Sequence, residues 1–221
     1  MTAQNLTEPL ASMIAPGRTA LLVVDVQNDF AHADGVMGRF GVDLSSVDTT
    51  VERMQALLDA AHAAGVQVFL VRLQTSAGRD SRAANLRRAR MGRSVPEDLR
   101  VCREGQWGAA FYRIAPVDGD IEVAKWRYSS FGGTGMDMQL RALGLDTLVV
   151  CGLTTECCVE TTVRDAFQLD FHVFVAADAS TAYDRAMHEM SVRSMVQNFA
   201  IALDASDIVA AWRGHTPTTS R

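Results

Sequence analysis

The chain has 221 residues, of which 48% are hydrophobic and 21% are charged, so it is long enough to bury the core of one compact α/β domain. Its formal net charge of −5 provides no basic field for a nucleic-acid backbone, and no apolar run reaches the roughly 18 residues that a membrane span needs. The first residues lack the basic and apolar segments of a secretory signal, so the sequence predicts a cytoplasmic protein. The four cysteines follow neither a disulfide framework nor a zinc motif, and reduced thiols are expected.

Apolar segments alternate with helical patterns along the chain, and residues 1–221 are predicted to form a single domain. Residues 1–18 are polar and irregular and are expected to be an N-terminal extension. Gly65 and Gly144 are the predicted C-terminal stops of the first two helices. The predicted strands lie at 20–24, 66–71, 121–124, 147–150 and 171–175, with one more near the C-terminus. The predicted helices lie at 47–64, around Met138 to Leu143, at 156–169, at 184–198 and after the last strand.

The predicted strands are apolar throughout instead of at every second residue, which is typical of strands buried on both faces. Together with the alternation of strands and helices, this predicts an α/β fold with three α-β-α layers: a mainly parallel, six-stranded, Rossmann-like sheet with helices on both faces. Ligands bind such sheets at the carboxyl ends of the strands. Asp25, Lys125 and the turn that leads to Cys158 lie at or just beyond predicted strand ends, so we expect them to converge on one site.

The stretch from Gln74 to Gly108, here called the arginine-rich connection, interrupts the alternation because it has little apolar periodicity. It contains eight arginines, at positions 79, 82, 87, 88, 90, 93, 100 and 103. Connections of this length in compact domains are usually functional or disordered. Two interpretations stay open. The connection (74–108) is either a lid over the active site, where its arginines could bind a substrate carboxylate, or a charged interface segment that contacts a second subunit.

The chain contains one lysine, Lys125, among its 21 lysine and arginine residues. A coding bias toward arginine explains most of this imbalance. The exception also indicates that position 125 needs a compact ammonium whose pKa its surroundings can adjust, which arginine does not provide. The alternative is a surface lysine without a special role.

The segment CGLTTECCVETTVRDA, residues 151–166, joins a predicted buried strand to a predicted helix and places two cysteines in the first helical turn. Unpaired N–H groups and the helix dipole at that point are expected to lower the pKa of a thiol and to stabilise an oxyanion. Cysteine is also a common small core residue. The apolar stripe of the helix favours Cys158 over Cys157 as the residue that faces the cleft, although periodicity alone leaves the choice open. The predicted stripe consists of Val159, Val163, Ala166 and Phe167.

A thiol nucleophile needs a group that accepts its proton and later protonates the leaving group. Among the five histidines, only His32 lies near Asp25 in sequence, and no two form a metal-like pair at helical spacing. We interpret all five as ordinary surface or core residues and expect no metal and no cofactor. Asp25, a carboxylate at the end of an apolar strand, is the predicted acid and base, stabilised by a nearby ammonium. The other histidines are His62, His172, His188 and His215.

Three blocks of the sequence resemble the catalytic blocks of the isochorismatase-like cysteine hydrolases, in the same order and with similar spacing. They are LLVVDVQNDF at 21–30, AKWRYSSF at 124–131 and GLTTECCVETTVRDA at 152–166. The resemblance implies that Asp25 is the general base and acid, that Lys125 supports it and that Cys158 is the nucleophile. It also implies an oxyanion hole formed by the backbone N–H groups of Thr154 and Cys158, with a cis peptide bond between Leu153 and Thr154.

Within that family, the stretch GDIEVAKWRYSSFGGTGMDMQLRALG and the continuation ETTVRDA are most similar to the N-carbamoylsarcosine and ureidoacrylate amidohydrolases. The segment VRLQTSAGRDS has no histidine for the metal cluster that nicotinamidases carry, which argues against that activity and against a bound metal. True isochorismatases generally lack the nucleophilic cysteine. The resemblance therefore predicts a cysteine-dependent amidohydrolase. It would cleave a C–N bond of a small amide, carbamoyl or ureido compound through a covalent Cys158 intermediate and release ammonia.

Two alternatives stay open: an isochorismatase-type ether hydrolase, which would not require Cys158, and a catalytically silent member that uses the fold for binding or assembly. Phe30, Trp107 and Tyr128 are candidates to line the substrate pocket, and the alternative for these aromatic residues is an ordinary core position. The expected partners are a small-molecule substrate and further copies of the chain in a homodimer or homotetramer, with no nucleic acid and no membrane.

Overall fold

The computed structural model describes residues 9–214, in which helices flank a central sheet. The strands are β1 (Thr19–Val24), β2 (Gln67–Leu73), β3 (Ile121–Lys125), β4 (Thr147–Leu153), β5 (His172–Thr181) and β6 (Ile201–Leu203). The α-helices are α1 (Leu10–Met13), α2 (Asn28–Ala31), α3 (Val36–Arg39), α4 (Val47–Ala64), α5 (Arg82–Arg90), α6 (Met136–Ala142), α7 (Glu160–Gln168), α8 (Arg185–Asn198) and α9 (Ala205–Arg213). Short 3₁₀ turns cover Pro16–Arg18, Glu97–Leu99 and Trp107–Ala109, and a π-helical turn covers Thr155–Val159.

All six strands are parallel, in the order β3-β2-β1-β4-β5-β6. β1 lies between β2, which pairs Val71 with Val24, and β4, which pairs Gly152 with Val24. The carboxyl ends of β1 and β4 therefore flank the point where the strand order reverses. Open α/β sheets leave a crevice for a ligand at this point. The predicted fold class is confirmed.

The side chains of alternate residues of β1 point to opposite faces of the sheet. Leu21 and Val23 belong to the core that α4 and α9 cover, whereas Leu22 and Val24 belong to the core that α6, α7 and α8 cover. All six residues of the strand are buried. The strand is apolar throughout because helices cover both faces and neither face meets water.

Predicted boundaries agree best where a helix has a clear stop residue. α4 covers 47–64 as predicted, and Gly65 follows it with a left-handed φ of 73°, as glycines that end helices commonly do. β4 continues to 153 instead of 150, and β5 continues to 181 instead of 175. Residues 9–18, expected to be irregular, contain α1 and a 3₁₀ turn.

Three apolar side chains that are expected to pack inside are exposed: Met138 by 74%, Leu143 by 48% and Phe167 by 46%. The predicted apolar stripe lies on α7 and the turn before it. Three of its four residues are buried, and the prediction is wrong only for Phe167. It lies near the end of the helix and packs edge-on against Phe199, with ring centroids 5.5 Å apart, instead of packing on the sheet. Within residues 9–214, every helix is too short or too polar to span a bilayer.

Candidate active site

Three strand ends bring the predicted catalytic residues together. Asp25 follows β1 directly, Lys125 is the last residue of β3, and β4 leads through Thr154 into the turn that carries Cys158. Asp25 has a left-handed φ of 54°, and its N–H donates to the carbonyl oxygen of Val71 (2.8 Å). Non-glycine residues rarely adopt this conformation, and those that do are often found at functional sites.

A glycine lets β4 approach β1 beside Asp25. Gly152 has a φ of 134°, and a Cβ placed on it would lie 2.1 Å from the carbonyl oxygen of Val24. No side chain fits there, because the obstacle is backbone. The peptide bond between Leu153 and Thr154, immediately afterwards, is cis, as the family resemblance implies.

Asp25 and Lys125 form an ion pair inside the protein. Nζ of Lys125 lies 2.7 Å from Oδ2 of Asp25, and both side chains are fully buried. The ammonium also donates to the carbonyl oxygens of Arg127 (2.9 Å) and Tyr128 (2.8 Å), so one carboxylate and two carbonyl oxygens surround it. Position 125 is therefore not a surface lysine. A planar guanidinium would not match three acceptors arranged around one nitrogen.

The surroundings of this ion pair change both pKa values. Burial raises the pKa of Asp25, and the Lys125 charge and the Cys158 thiol offset only part of the increase. Burial by itself would lower the pKa of Lys125, but the charge of Asp25 and the interactions with Asp25 and Cys158 outweigh it, and that pKa is raised as well. A carboxylate with a raised pKa holds a proton more readily than a surface carboxylate. This property suits a group that must accept a proton and later return it.

Cys158 lies in the π-helical turn that precedes α7. The N–H of Val159 donates to the carbonyl oxygen of Thr154 (3.2 Å), and the N–H of Cys157 donates to the same oxygen (3.1 Å). Single wide turns of this kind are frequent at functional sites. Cys158 is 5% exposed, and its thiol interacts with Asp25 and Lys125, whereas Cys157 is partly exposed.

The pKa of Cys158 is raised, not lowered. Its hydrogen bond with Cys157, burial and the charge of Asp25 raise the pKa of the thiol well above its usual range. The expectation of a lowered pKa is wrong because the turn carries the sulfur into the core beside a carboxylate, and regular α-helix begins only at Glu160. Cys158 therefore rests as a thiol and needs a base to become a nucleophile. The same hydrogen bond lowers the pKa of Cys157.

Two residues of α8 hold the turn in place. Oγ1 of Thr155 lies 2.8 Å from Nδ1 of His188, and the hydroxyl of Ser191 donates to the carbonyl oxygen of Thr155 (3.3 Å). Burial lowers the pKa of His188, so the ring is neutral at pH 7. His188 is therefore more than the ordinary histidine expected from the sequence, since it supports the turn that carries the thiol.

Gln27 attaches the arginine-rich connection to the sheet next to Asp25. Its buried amide donates to the carbonyl oxygens of Leu73 (2.9 Å) and Ala109 (2.8 Å) and accepts the N–H of Leu73 (2.8 Å). These bonds connect the two ends of the connection, just before 74 and just after 108. Sequence reasoning missed Gln27. A polar residue in the block VQND, which directly follows the predicted catalytic residue Asp25, was a usable signal.

The buried carboxylate of Asp29 contacts three segments of the chain. It accepts the N–H groups of Cys102 (2.6 Å) and Val36 (3.1 Å). Gly108 packs so closely on it that a Cβ there would lie 2.2 Å from Oδ2. The arginine-rich connection is therefore fixed beside the site by buried polar contacts, and Asp29 is a second residue of the block VQND that sequence reasoning missed.

An open cavity of about 720 Å³ lies along this connection. Arg100 and Arg103 line it, and both already have carboxylate partners in the chain. Asp80 lies 2.7 Å from the first and 2.8 Å from the second, and Glu97 contacts both at 3.1 and 2.5 Å. Helix α5, with four more arginines of the connection, has no buried residue. Binding of a substrate carboxylate by these arginines stays a prediction, and it would require exchange of existing ion pairs.

The aromatic pocket candidates lie in different environments. Trp107 is 53% exposed and lines the cavity, and Tyr128 is 52% exposed. The alternative of an ordinary core position is therefore wrong for these two. Phe30 is partly buried and packs against the core. His32, the histidine nearest to Asp25 in sequence, lies edge-on to Trp107 with ring centroids 5.1 Å apart.

Possible metal ligands are scattered over the described chain. Between 9 and 214, no three histidine, cysteine, aspartate or glutamate side chains come close enough together to hold a metal ion. His215 lies outside the described residues. Expectations about a metal or a cofactor therefore rest on the sequence blocks alone.

Comparison with known proteins identifies the family. A family model described as the isochorismatase domain matches residues 19–207. The chain belongs to the isochorismatase family. The membership predicted from three sequence blocks is confirmed, and in this isochorismatase-family chain the blocks supply Asp25, Lys125 and Cys158 to one buried site.

Curated relatives of this isochorismatase-family chain include ureidoacrylate amidohydrolases. The one from Acinetobacter baylyi is 32% identical over an alignment that covers 91% of this chain and 86% of that protein. The one from Agrobacterium fabrum is 36% identical, with 81% and 82% covered. Both are named for amide hydrolysis, the activity that the motifs predict.

Solved structures of related proteins share the fold. A cysteine hydrolase from Pseudomonas syringae pv. phaseolicola superposes with a TM-score of 0.80 at 27% identity, covering 95% of this chain and 99% of that one. An N-carbamoylsarcosine amidase from Thermoplasma acidophilum superposes with a TM-score of 0.66 at 26% identity, covering 85% and 96%. Both superpositions extend over most of this chain, in agreement with the α/β fold class predicted from the sequence.

Proposed function

We propose that this chain is a cysteine-dependent amidohydrolase that cleaves a C–N bond of a small amide, carbamoyl or ureido compound and releases ammonia. The observation that carries the proposal is the buried ion pair of Asp25 and Lys125, 2.7 Å long, with the Cys158 thiol interacting with both groups. A nucleophile, a proton acceptor and a cation meet there without a histidine. The ureidoacrylate amidohydrolase and N-carbamoylsarcosine amidase relatives are named for hydrolysis of C–N bonds, which supports the proposal.

The first step transfers the thiol proton of Cys158 to Asp25 while the sulfur attacks the carbonyl carbon of the substrate. Because the pKa of the thiol is raised, the base is required. Because the pKa of Asp25 is also raised, its carboxylate accepts the proton more readily than a surface aspartate would. The negative charge that develops on the substrate oxygen is held by the backbone N–H groups of Thr154 and Cys158.

The second step breaks the C–N bond. The tetrahedral intermediate collapses, and Asp25 returns the proton to the leaving nitrogen, so a terminal amide or carbamoyl nitrogen leaves as ammonia. The acyl or carbamoyl group remains on sulfur as a thioester or thiocarbamate. A water molecule that loses its proton to the same carboxylate then attacks the carbonyl carbon and regenerates the thiol of Cys158.

Lys125 keeps the carboxylate in position during these proton transfers. Its ammonium is fixed by the carbonyl oxygens of Arg127 and Tyr128 as well as by Asp25, so it stays in place when Asp25 takes up or gives back a proton. A fixed positive charge favours the return of Asp25 to its ionised form between steps. The role of Lys125 in this proposal is to position and charge-stabilise the base.

We place the substrate between Cys158 and the arginine-rich connection, within a single domain. The buried amide of Gln27 supports this placement, because it holds both ends of the connection close to Asp25. The cavity that Trp107 lines runs along the connection, and none of Asp25, Lys125 and Cys158 lines it. The lid role of residues 74–108 and assembly into a homodimer or homotetramer stay predictions.

A substrate screen with two cysteine variants tests the proposal. The protein is incubated with ureido acids, N-carbamoyl amino acids, primary amides and isochorismate, while ammonia and intact mass are measured. We expect ammonia from at least one nitrogen compound and a covalent adduct on Cys158. Cys158→Ala should lower kcat/KM at least about 1,000-fold, because the nucleophile is lost. Cys157→Ser should keep most of the activity, because Cys157 lies at the partly exposed side of the turn.

Three results would contradict parts of this proposal. Turnover of isochorismate without an adduct, together with no ammonia from the nitrogen compounds, would identify an ether hydrolase. Full activity in Cys158→Ala with loss in Cys157→Ser would reverse the nucleophile assignment. No turnover of any compound would support a binding or assembly role. Circular dichroism spectra of both variants should match that of the wild type, so that loss of activity is not mistaken for loss of fold.

A further inference from the structure

Glu156 carries a buried carboxylate oxygen that the proposed mechanism does not use. The residue lies in the π-helical turn, two positions before Cys158, and is partly buried. Its Oε1 accepts the hydroxyl of Thr154 (3.0 Å). Its Oε2 is inaccessible to solvent and has no hydrogen-bond partner among residues 9–214. Such atoms are rare in folded proteins because the desolvation of the oxygen is not compensated, so this one needs an explanation.

Donors and cations near the turn are already engaged elsewhere. The pKa of Tyr183 is raised by burial and by the charge of Glu156, but the Tyr183 hydroxyl donates to the carbonyl oxygen of Phe30 (2.8 Å). Arg164, farther along α7, donates to Glu160 and to Ser194. The described part of the chain therefore supplies no donor for the second carboxylate oxygen of Glu156.

The carboxylate is close to the place where a substrate would meet the thiol. Glu156, Cys157 and Cys158 are consecutive residues of the same π-helical turn. Thr154, which binds the other carboxylate oxygen, also carries one of the two N–H groups assigned to the oxyanion. A ureido compound has a second nitrogen on the scissile carbonyl, besides the one that leaves as ammonia, and this nitrogen bears N–H unless it is fully substituted. A donor of this kind would fill the missing contact.

We propose that Glu156 accepts a hydrogen bond from an N–H group of the substrate next to the scissile carbonyl. This inference rests on the proposed role of Cys158 and narrows the substrate class. A donor-bearing nitrogen at that place is favoured, whereas a carboxylate or a fully substituted nitrogen is disfavoured. The carboxylate would meet a like charge, and the substituted nitrogen would leave Oε2 without a donor.

Glu156→Gln reverses the polarity of this contact with little change in shape. The hydroxyl of Thr154 continues to donate, so the amide oxygen takes the place of Oε1 and the NH₂ group takes the place of Oε2. A donor then faces the substrate donor. Glu122→Gln is the matched control, because Glu122 lies on the edge strand β3, which β2 and β1 separate from β4, and pairs with Arg72 (3.0 Å).

The test measures alkylation of Cys158 and needs no identified substrate. The full chain and both glutamine variants are treated with three iodoacetyl reagents, and the rates are compared between proteins as ratios. Iodoacetamide carries N–H donors, 2-iodo-N,N-dimethylacetamide is neutral without them, and iodoacetate is an anion. Tandem mass spectrometry gives the second-order rate constant at Cys158 and separates it from labelling at Cys157.

We expect Glu156→Gln to lower the rate ratio of iodoacetamide to the dimethyl reagent, and that of iodoacetamide to iodoacetate, each by about tenfold or more. Both ratios should be unchanged in Glu122→Gln. If only the ratio of iodoacetamide to iodoacetate falls, Glu156 acts through its charge alone and the inference is overturned. The inference is also overturned if Cys158 is labelled and neither ratio changes. Labelling of Cys157 in place of Cys158 would overturn the proposed function and this inference together.

Discussion

Replacing Lys125 with methionine measures what the buried ion pair contributes to stability. Methionine is close in length to lysine and matches its hydrocarbon part, but it leaves the Asp25 carboxylate and two carbonyl oxygens without the ammonium. Removing one partner of a buried ion pair typically costs about 3–5 kcal/mol, and each buried carbonyl left unsatisfied adds about 1–3 kcal/mol. Because these costs overlap, we expect Lys125→Met to lower the free energy of unfolding by at least about 4 kcal/mol at pH 8.

The loss should depend on pH, with a sign set by Asp25. Burial already raises the pKa of this carboxyl group, and removal of the ammonium raises it further. Since the folded-state pKa then lies above the unfolded value of about 3.9, the folded variant keeps a proton that the unfolded chain releases. Its stability therefore falls as pH rises from that value through the folded pKa, by at most about 1.4 kcal/mol per pH unit. The destabilisation should be smaller at pH 5.5 than at pH 8.

Urea unfolding followed by tryptophan fluorescence and circular dichroism measures both effects. Arg185→Met is the control, because it breaks an ion pair of nearly the same length, 2.8 Å to Glu189, between exposed side chains. Its cost should stay below about 1 kcal/mol at either pH. The double variant Asp25→Asn, Lys125→Met should recover part of the loss, since it leaves no unpaired charge. A Lys125→Met protein as stable as the control at pH 8, or equally destabilised at both pH values, would refute this reasoning.

Two further predictions concern the same crevice. Gly152→Ala should destabilise the protein by at least about 3 kcal/mol in thermal unfolding, because its Cβ would lie 2.1 Å from the carbonyl oxygen of Val24. Gly214→Ala is the control, because a Cβ there would have no neighbouring atom nearer than 3.5 Å, and this variant should melt like the wild type. The kcat/KM of the wild type should fall toward acid with an apparent pKa above the usual carboxyl value of about 3.9, because burial raises the pKa of Asp25 and the reaction needs its ionised form. An acid limb at or below about pH 4 would speak against Asp25 as the base.

Secondary structure is predictable here where its determinants are local. Strand β1 is identified by its consecutive apolar side chains. Helix α4 is identified by apolar residues at helical spacing, followed by Gly65. The carboxyl ends of β4 and β5 are not predictable in the same way. They pair Gly152 with Ser180 and Leu153 with Thr181 across an irregular register, and that pairing depends on residues distant in sequence.

The three central residues of the candidate site are predictable from the sequence, but the residues that hold them in place are not. Strand ends and three motif blocks indicate Asp25, Lys125 and Cys158 without any structure. The contacts of Gln27 and His188 are different, because a polar residue in a sequence does not reveal which backbone groups it will reach. Burial and partners become visible only when segments far apart in the chain are packed together.

By itself, the sequence determined the α/β class, the family and the identity of the three candidate catalytic residues, because these depend on apolar patterns and on motifs that can be read in order along the chain. Only the tertiary structure decided the chemical state of those residues. Asp25, Lys125 and Cys158 are separated by 100 and 33 positions, yet they meet in a space closed to solvent. A pKa depends on burial and on charges a few ångströms away, so the raised pKa of the thiol and the unpartnered oxygen of Glu156 follow from packing and not from local sequence.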